Sequence, residues 1–228
     1  MATQAGDRGG SATYLGSSYP SDFQADYPEN PSKLYAIPIV GWLIRVVLLI
    51  PHAIAVTVLS WAVAFIQLFA WAPVLFTGKF QPGLYSFEAG VLRWSGRMYA
   101  YLFGLTDQYP PFALGSDDDG YPVRVLFERP EESSRLWAIP LVGYVIKLVI
   151  LIPHFIAVSV LGLVTVLMQL VSWIPVLFSG KYPSWAYSFT TGYLQWSMRT
   201  SGFFLGLTDQ YPPFRLGARL SDDGTIVR

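Results

Sequence analysis

The chain has no cysteine and only two histidines in 228 residues, and charged residues make up 13% of it, about half the share of an ordinary soluble domain. Without cysteine there is no disulfide, no thiolate metal site, no cysteine nucleophile and no lipidated cysteine. Charge is scarcest in two places: no Asp, Glu, Lys or Arg stands between Arg45 and Lys79, or between Lys147 and Lys181. No nucleophile with a partnering base, no pair of carboxylates in the apolar runs and no phosphate-cradling glycine loop is present, so no catalytic residue and no enzyme is expected. The formal net charge is zero, which offers no pointer to a highly charged partner, and nucleic acid is not an expected one.

What the chain does have is apolar side chains, at 53% hydrophobic and 16% aromatic residues. The two uncharged runs exceed the roughly 20 residues that cross a bilayer. An integral membrane protein is the expectation. Residues 1–25, rich in Gly, Ser, Gln, Tyr and Asp, read as a disordered tail. They contain no apolar core of the signal-peptide kind, so this tail is expected to be retained.

LTDQYPPF occurs at residues 105–112 and again at 207–214, an offset of 102. The same offset carries LIPH, ending at His52, onto LIPH ending at His154. It also carries PVLF at 73–76 onto 175–178, Gly78-Lys79 onto Gly180-Lys181, and Tyr85-Ser86-Phe87, Gly90, Trp94 and Arg97 onto their partners. This is a tandem duplication, with repeat 1 at 26–127 and repeat 2 at 128–228.

As one helix, Leu34 to Phe76 would be about 65 Å long, roughly twice the hydrocarbon thickness. A hairpin is therefore expected, turning near Ser60, whose counterpart is Gly162, with a kink at Pro51; a turn at Pro51 itself is the alternative. The next segment, from Leu84, sets Ser86, Gly90, Arg93, Arg97 and Gly104 against Phe87, Val91, Trp94, Met98 and Leu105. That period reads as an amphipathic interfacial helix. A spanning helix with its Arg facing protein is the alternative, because Gln195 replaces Arg93 in repeat 2.

Two crossings per repeat put Lys33, Lys79, Arg93 and Arg97 on one face, which the positive-inside tendency assigns to the cytoplasm. The plasma membrane, a multi-pass topology and cytoplasmic termini follow as expectations. Tyr-Pro-Pro is a stiff exit from the third helix, with Asp107 or Asp209 at its polar end and a DDG turn beyond. YPVRVLFE from Tyr121, the related YPSDFQAD from Tyr19 and the terminal TIVR read as short strands that could pair in the cytoplasmic linkers. The expected fold is thus all-α and membrane-integral: two tandem repeats, each a transmembrane hairpin plus an amphipathic helix, with short β-strands in the linkers.

The combination of LIPH, LFTGK, a Gly-x-x-x-Trp-x-x-Arg helix and LTDQYPPF resembles a bacterial family, mostly actinobacterial, known only as a domain of unknown function. The resemblance rests on His52, Gly78, Phe87, Gly90, Trp94, Arg97, Tyr109, Pro110, Pro111 and Phe112, with their partners 102 residues on. It implies a membrane location and supplies no activity.

His52 and His154 occupy equivalent positions, and two imidazoles brought together could ligate a haem or another metal. A second ligand type is missing, so no metal or cofactor is assigned and the histidines more plainly satisfy backbone groups at a kink or sit at the water interface. Arg45, Lys147, Arg93, Arg97 and Arg199 could meet lipid headgroups or a partner's acidic surface, with snorkelling as the plainer reading. Trp94 and Trp196 read as interfacial anchors, and Tyr109, Phe112, Tyr211 and Phe214 as contact residues of the boxes. The Asp117–Asp119 run lacks EF-hand spacing and reads as a solvated turn. The expected function is an accessory or scaffold subunit whose partners are lipids and other integral membrane proteins, with homo-oligomers compatible. The alternatives are a small oligomeric transporter or channel and bis-histidine haem or metal binding.

Overall fold

The computed structural model describes residues 19–115, 120–217, 219–220 and 226–227. Four helices dominate: α1 (Val40–Thr77), α2 (Pro82–Leu102), α3 (Val142–Ser179) and α4 (Ser184–Leu205). Strand β1 (Ser21–Ala25) pairs antiparallel with β2 (Val123–Phe127), in a register that sets Phe23 opposite Val125. Two further short strands, β3 (Arg219–Leu220) and β4 (Ile226–Val227), pair separately with each other. TIVR therefore does not join the β1–β2 sheet. Most of the expected tail and both aspartate turns, 117–119 and 222–223, lie outside the described residues, but the tail's last five residues are strand β1.

The expected hairpin is replaced by a single helix in each repeat. α1 and α3 each run for 38 residues, or about 57 Å at 1.5 Å per residue. Ser60 causes no turn, because its hydroxyl donates back to the Val56 carbonyl at 2.7 Å and stays within the helical ladder. Pro51 is tolerated because the helix finds an outside donor nearby, described below. The reversal comes instead after Thr77, where Gly78 adopts φ 71° and its amide closes the last turn on the Val74 carbonyl. Left-handed geometry of this kind suits glycine at a helix end, and Gly180 repeats it at φ 68°. Pro82 then starts α2 at a position where a missing N–H costs nothing.

Among the described residues, α1 and α3 are the two helices long and apolar enough to cross a membrane. Each buries only a narrow stripe, in α1 running through Arg45, Leu49, His52, Val56, Val63, Ala70 and Val74. The rest of the perimeter leaves Val47, Ile54, Trp61, Phe65 and Phe76 exposed.

α2 and α4 form the centre of the fold. Much of the stripe of small and polar residues expected at the membrane surface faces protein: Gly90 and Arg97 are buried and Arg93 and Gly104 half-buried, with Ser86 alone exposed, and Gly96 is buried beside them. A Cβ on Gly96 would lie 2.8 Å from Val125 of the sheet, and one on Gly202 would lie 2.9 Å from Phe127. Glycine there lets the sheet sit directly on the helices. The layers are thus sheet, then α2 and α4, then α1 and α3. The start of α3 lies beside the C-terminal half of α1, and the start of α1 beside the C-terminal half of α3. The long helices therefore run in opposite directions about a pseudo-twofold axis.

Replacing Gly96 with Ala should cost about 1–3 kcal/mol by overpacking against Val125. The check is the thermal midpoint of the detergent-solubilised protein, which should fall by several degrees.

Candidate functional site

His52 is fully buried. The Trp94 indole N–H, from α2, donates to its Nδ1 at 2.7 Å. Phe112 of the YPPF box stacks on the imidazole at 3.8 Å between centroids, and Tyr109 packs edge-on at 4.8 Å. Repeat 2 reproduces each contact on His154: Trp196 at 2.8 Å, Phe214 at 3.9 Å and Tyr211 at 4.9 Å. A ring that accepts at Nδ1 is not an imidazolium, so each histidine is the neutral tautomer with its proton on Nε2. Neither Nε2 has a hydrogen-bond partner among the described residues.

The duplicated box clamps the long helix. Pro51 has no N–H to offer the Val47 carbonyl four residues back. The Tyr109 hydroxyl donates to the next carbonyl, Leu48, at 2.8 Å, and Tyr211 does the same to Ile150 at 2.9 Å. Asp107 accepts the Ser32 amide and forms an ion pair with Arg45. Arg45 also donates to the carbonyls of Tyr101, at 2.6 Å, and Thr106, at 2.9 Å. Beyond the box, Arg97 donates to the carbonyls of Ala113 and Gly115 at 3.3 and 2.8 Å, which draws the exit back along α2.

Several expected contact residues are therefore internal. Arg45, Lys147, Arg97, Arg199, Trp94 and Trp196 are buried in the chain itself, Arg97 with no exposed surface. Arg93 is half-buried and donates to the Val125 carbonyl at 3.1 Å, whereas its counterpart Gln195 donates to Asp22. Tyr109, Phe112, Tyr211 and Phe214 keep an outward face, from 40% to 57% exposed, while covering the histidines. The two imidazoles are not brought together, because each is enclosed by rings of its own repeat. The bis-histidine arrangement is absent from the described residues.

A second polar centre escaped the sequence reading. Glu88, in α2, is fully buried; its Oε2 accepts from the Gln67 amide at 2.8 Å, and Oε1 has no partner among the described residues. The same Gln67 nitrogen donates to the Leu205 carbonyl of repeat 2 at 2.8 Å, tying the repeats together. Burial pushes the Glu88 carboxyl up to about 8, opposed by the Gln67 hydrogen bond and by Lys147 across from it. Glu88 is the one acidic residue between Asp26 and Asp107 apart from Glu29. A lone carboxylate in an apolar helix was the available signal, but its counterpart is Thr190, so a search for repeated features passed over it.

The geometry defines a duplicated helical protein whose repeats are each pinned by a Trp–His pair and a proline-stiffened aromatic clamp. The chain belongs to the family described as Domain of unknown function (DUF4389), whose pattern matches twice, over residues 40–113 and 142–215. Each match runs from the start of the long helix to just past the YPPF box, so both contain a complete cage. No curated protein and no solved structure matches the chain.

Trp94→Phe strands a buried imidazole acceptor and should destabilise by about 1–3 kcal/mol. In a His52→Phe background the same change should cost clearly less, as a double-mutant cycle by thermal unfolding would measure. The raised Glu88 value gives a pH signature: folding favours the protonated carboxyl, so this contribution is fully present below about pH 4.5 and is lost as pH rises through about 8. Stability of the parent protein relative to Glu88→Gln should therefore fall across that window, read as the difference between their thermal midpoints.

Proposed function

We propose that this chain is a non-enzymatic membrane protein, an accessory or scaffold subunit that packs against lipid and other membrane proteins through α1 and α3. The observation that carries the reading is the outward face of these helices. Trp61, Phe65 and Phe76 on α1 and their counterparts Leu163, Leu167 and Phe178 on α3 are all exposed. Soluble monomers rarely expose contiguous apolar patches beyond a few hundred Å², and no other element of the described chain covers these faces.

The layering supports helices that lie in the membrane interface rather than cross it. Antiparallel crossing helices would put the two identical boxes in opposite compartments, whereas helices lying in the plane keep both at one depth. Each helix, at about 57 Å, is also far longer than the roughly 30 Å of hydrocarbon. The sheet rests on the middles of α2 and α4, and its open edges need water or protein partners. In this reading the sheet, both chain ends and the lysines at 33, 79 and 181 face the cytoplasm at the plasma membrane.

The absence of cysteine allows single spin labels at Trp61, Phe76 and Leu163 in vesicles. Equal immersion depths are expected at all three; a graded series reaching the opposite headgroups would contradict the in-plane placement. For the scaffold role, mild-detergent extraction should yield a complex with stoichiometric companions. A monodisperse, partnerless monomer would contradict it.

A further inference from the structure

The offset of 102 residues that relates the repeats also relates two clefts of very different size. One, of about 720 Å³, lies between α1, α2, the linker before α3, the start of α3 and the end of α4. The other, of about 80 Å³, has the equivalent walls with the repeats exchanged. Trp71, Gly206, Asp209 and Lys147 line the first; Trp173, Gly104, Asp107 and Arg45 line the second.

The small cleft is closed by its own side chains. Tyr193 fills the space beside α3, where Gly162 leaves room: a Cβ there would lie 3.0 Å from the tyrosine hydroxyl. The Tyr182 hydroxyl accepts from Gln169 at 2.7 Å and donates to the Phe103 carbonyl at 3.3 Å. Arg45 is satisfied by Asp107 and two carbonyls.

At the equivalent positions of the large cleft stand Val91 for Tyr193, Ser60 for Gly162, Phe80 for Tyr182 and Lys147 for Arg45. The smaller Val91 leaves the space open. Lys147 is only 5% exposed, and the opposite charges that act on it are Asp209, on the same wall, and Glu88 of α2. Its ammonium sits near two rings, 5.3 Å from the centroid of Phe203 and 5.8 Å from that of Trp137. The Ser133 hydroxyl, on the same wall and 8% exposed at the residue level, lacks a partner among the described residues. A buried hydroxyl without an acceptor is costly, and so is a desolvated ammonium that holds no direct ion pair of the Arg45–Asp107 kind. They stand in a cleft otherwise walled by side chains such as Val63, Leu68, Leu92, Ile139 and Phe204. Its volume falls in the range of roughly 300–1,000 Å³ typical of small-molecule sites.

We infer that the large cleft binds a single-chain amphiphile with an anionic carboxylate head, of the fatty-acid type. The head accepts from Lys147 and Ser133, and the chain lies along α1 and α2. A carboxylate suits the site better than a phosphate monoester, because Asp209 stands on the same wall, where it holds the Ser134 amide at 2.6 Å, and would repel a second negative charge. Repeat 2 shows how the site is lost: one tyrosine and one ion pair occupy the same space.

The test uses the delipidated full chain in a non-ionic detergent, with bound radiolabelled palmitate displaced by unlabelled palmitate, hexadecanol or lysophosphatidate. Palmitate should compete at least about tenfold better than hexadecanol, the ratio expected for a charge-assisted hydrogen bond, and better than lysophosphatidate. Lys147→Gln should erase the preference over hexadecanol. The double change Ser60→Gly with Val91→Tyr, which installs the side chains of repeat 2, should abolish specific palmitate binding while leaving the thermal midpoint close to that of the parent. Equal competition by palmitate and hexadecanol, or stronger competition by lysophosphatidate, overturns the carboxylate assignment. Full palmitate binding by a folded double variant overturns the location.

Discussion

The hydrogen bond from Trp94 to His52, repeated from Trp196 to His154, is the contact on which the rest of each repeat depends. A long apolar helix has little reason to choose one orientation against its neighbour, because every face is comparably greasy. A buried imidazole breaks that degeneracy. Its acceptor nitrogen must meet a donor or incur the desolvation penalty, and the indole of the following helix supplies it. Once that bond sets the phase of α1 against α2, Phe112 can stack on the exposed face of the imidazole. Tyr109 can then reach the carbonyl beside the proline gap. The YPPF box is duplicated because there are two such helices to clamp.

The two repeats share this clamp and differ in what lies between them. Around the pseudo-twofold axis, Arg45 is fully engaged within its cleft while Lys147 is not, and Tyr193 fills a space that Val91 leaves open. Glu88 has Thr190 as its counterpart, so the buried carboxyl and its link through Gln67 to Leu205 exist only once. Duplication supplied two equivalent frames; single side-chain changes made one frame solid and left the other hollow. The shared frame sets the fold, and the differences between the repeats lie in the residues around the clefts.

Much of this was legible in the residues. The offset of 102 gave both repeats, and the strand pairing between the segments after Tyr19 and Tyr121 followed from their likeness. His52 and His154 were singled out as an equivalent pair, and in the structure each is enclosed by the Trp, Tyr and Phe rings of its own repeat. What misled was length: Leu34 to Phe76 is too long for one perpendicular crossing, which argued for a hairpin at Ser60. The helix instead continues, because serine bonds to its own ladder and a proline can be served from outside. The Gly90, Arg93 and Arg97 stripe was read as facing headgroups, when its small residues face protein and its arginines answer backbone carbonyls. A helical period identifies a face and does not say what covers it.

The sequence by itself determined the duplication, the two long uncharged apolar runs and the stiffness of each box, since all of these are local properties of composition and torsion. Only the tertiary structure decided that α2 and α4 are central, that the long helices run antiparallel, that each histidine belongs to its own cage, that the chain reverses at Gly78 and Gly180, and that Lys147 ends buried in a cleft. Those facts depend on contacts between residues far apart in the chain. Burial and hydrogen bonding across such distances are set by how the elements stack, which no single segment encodes.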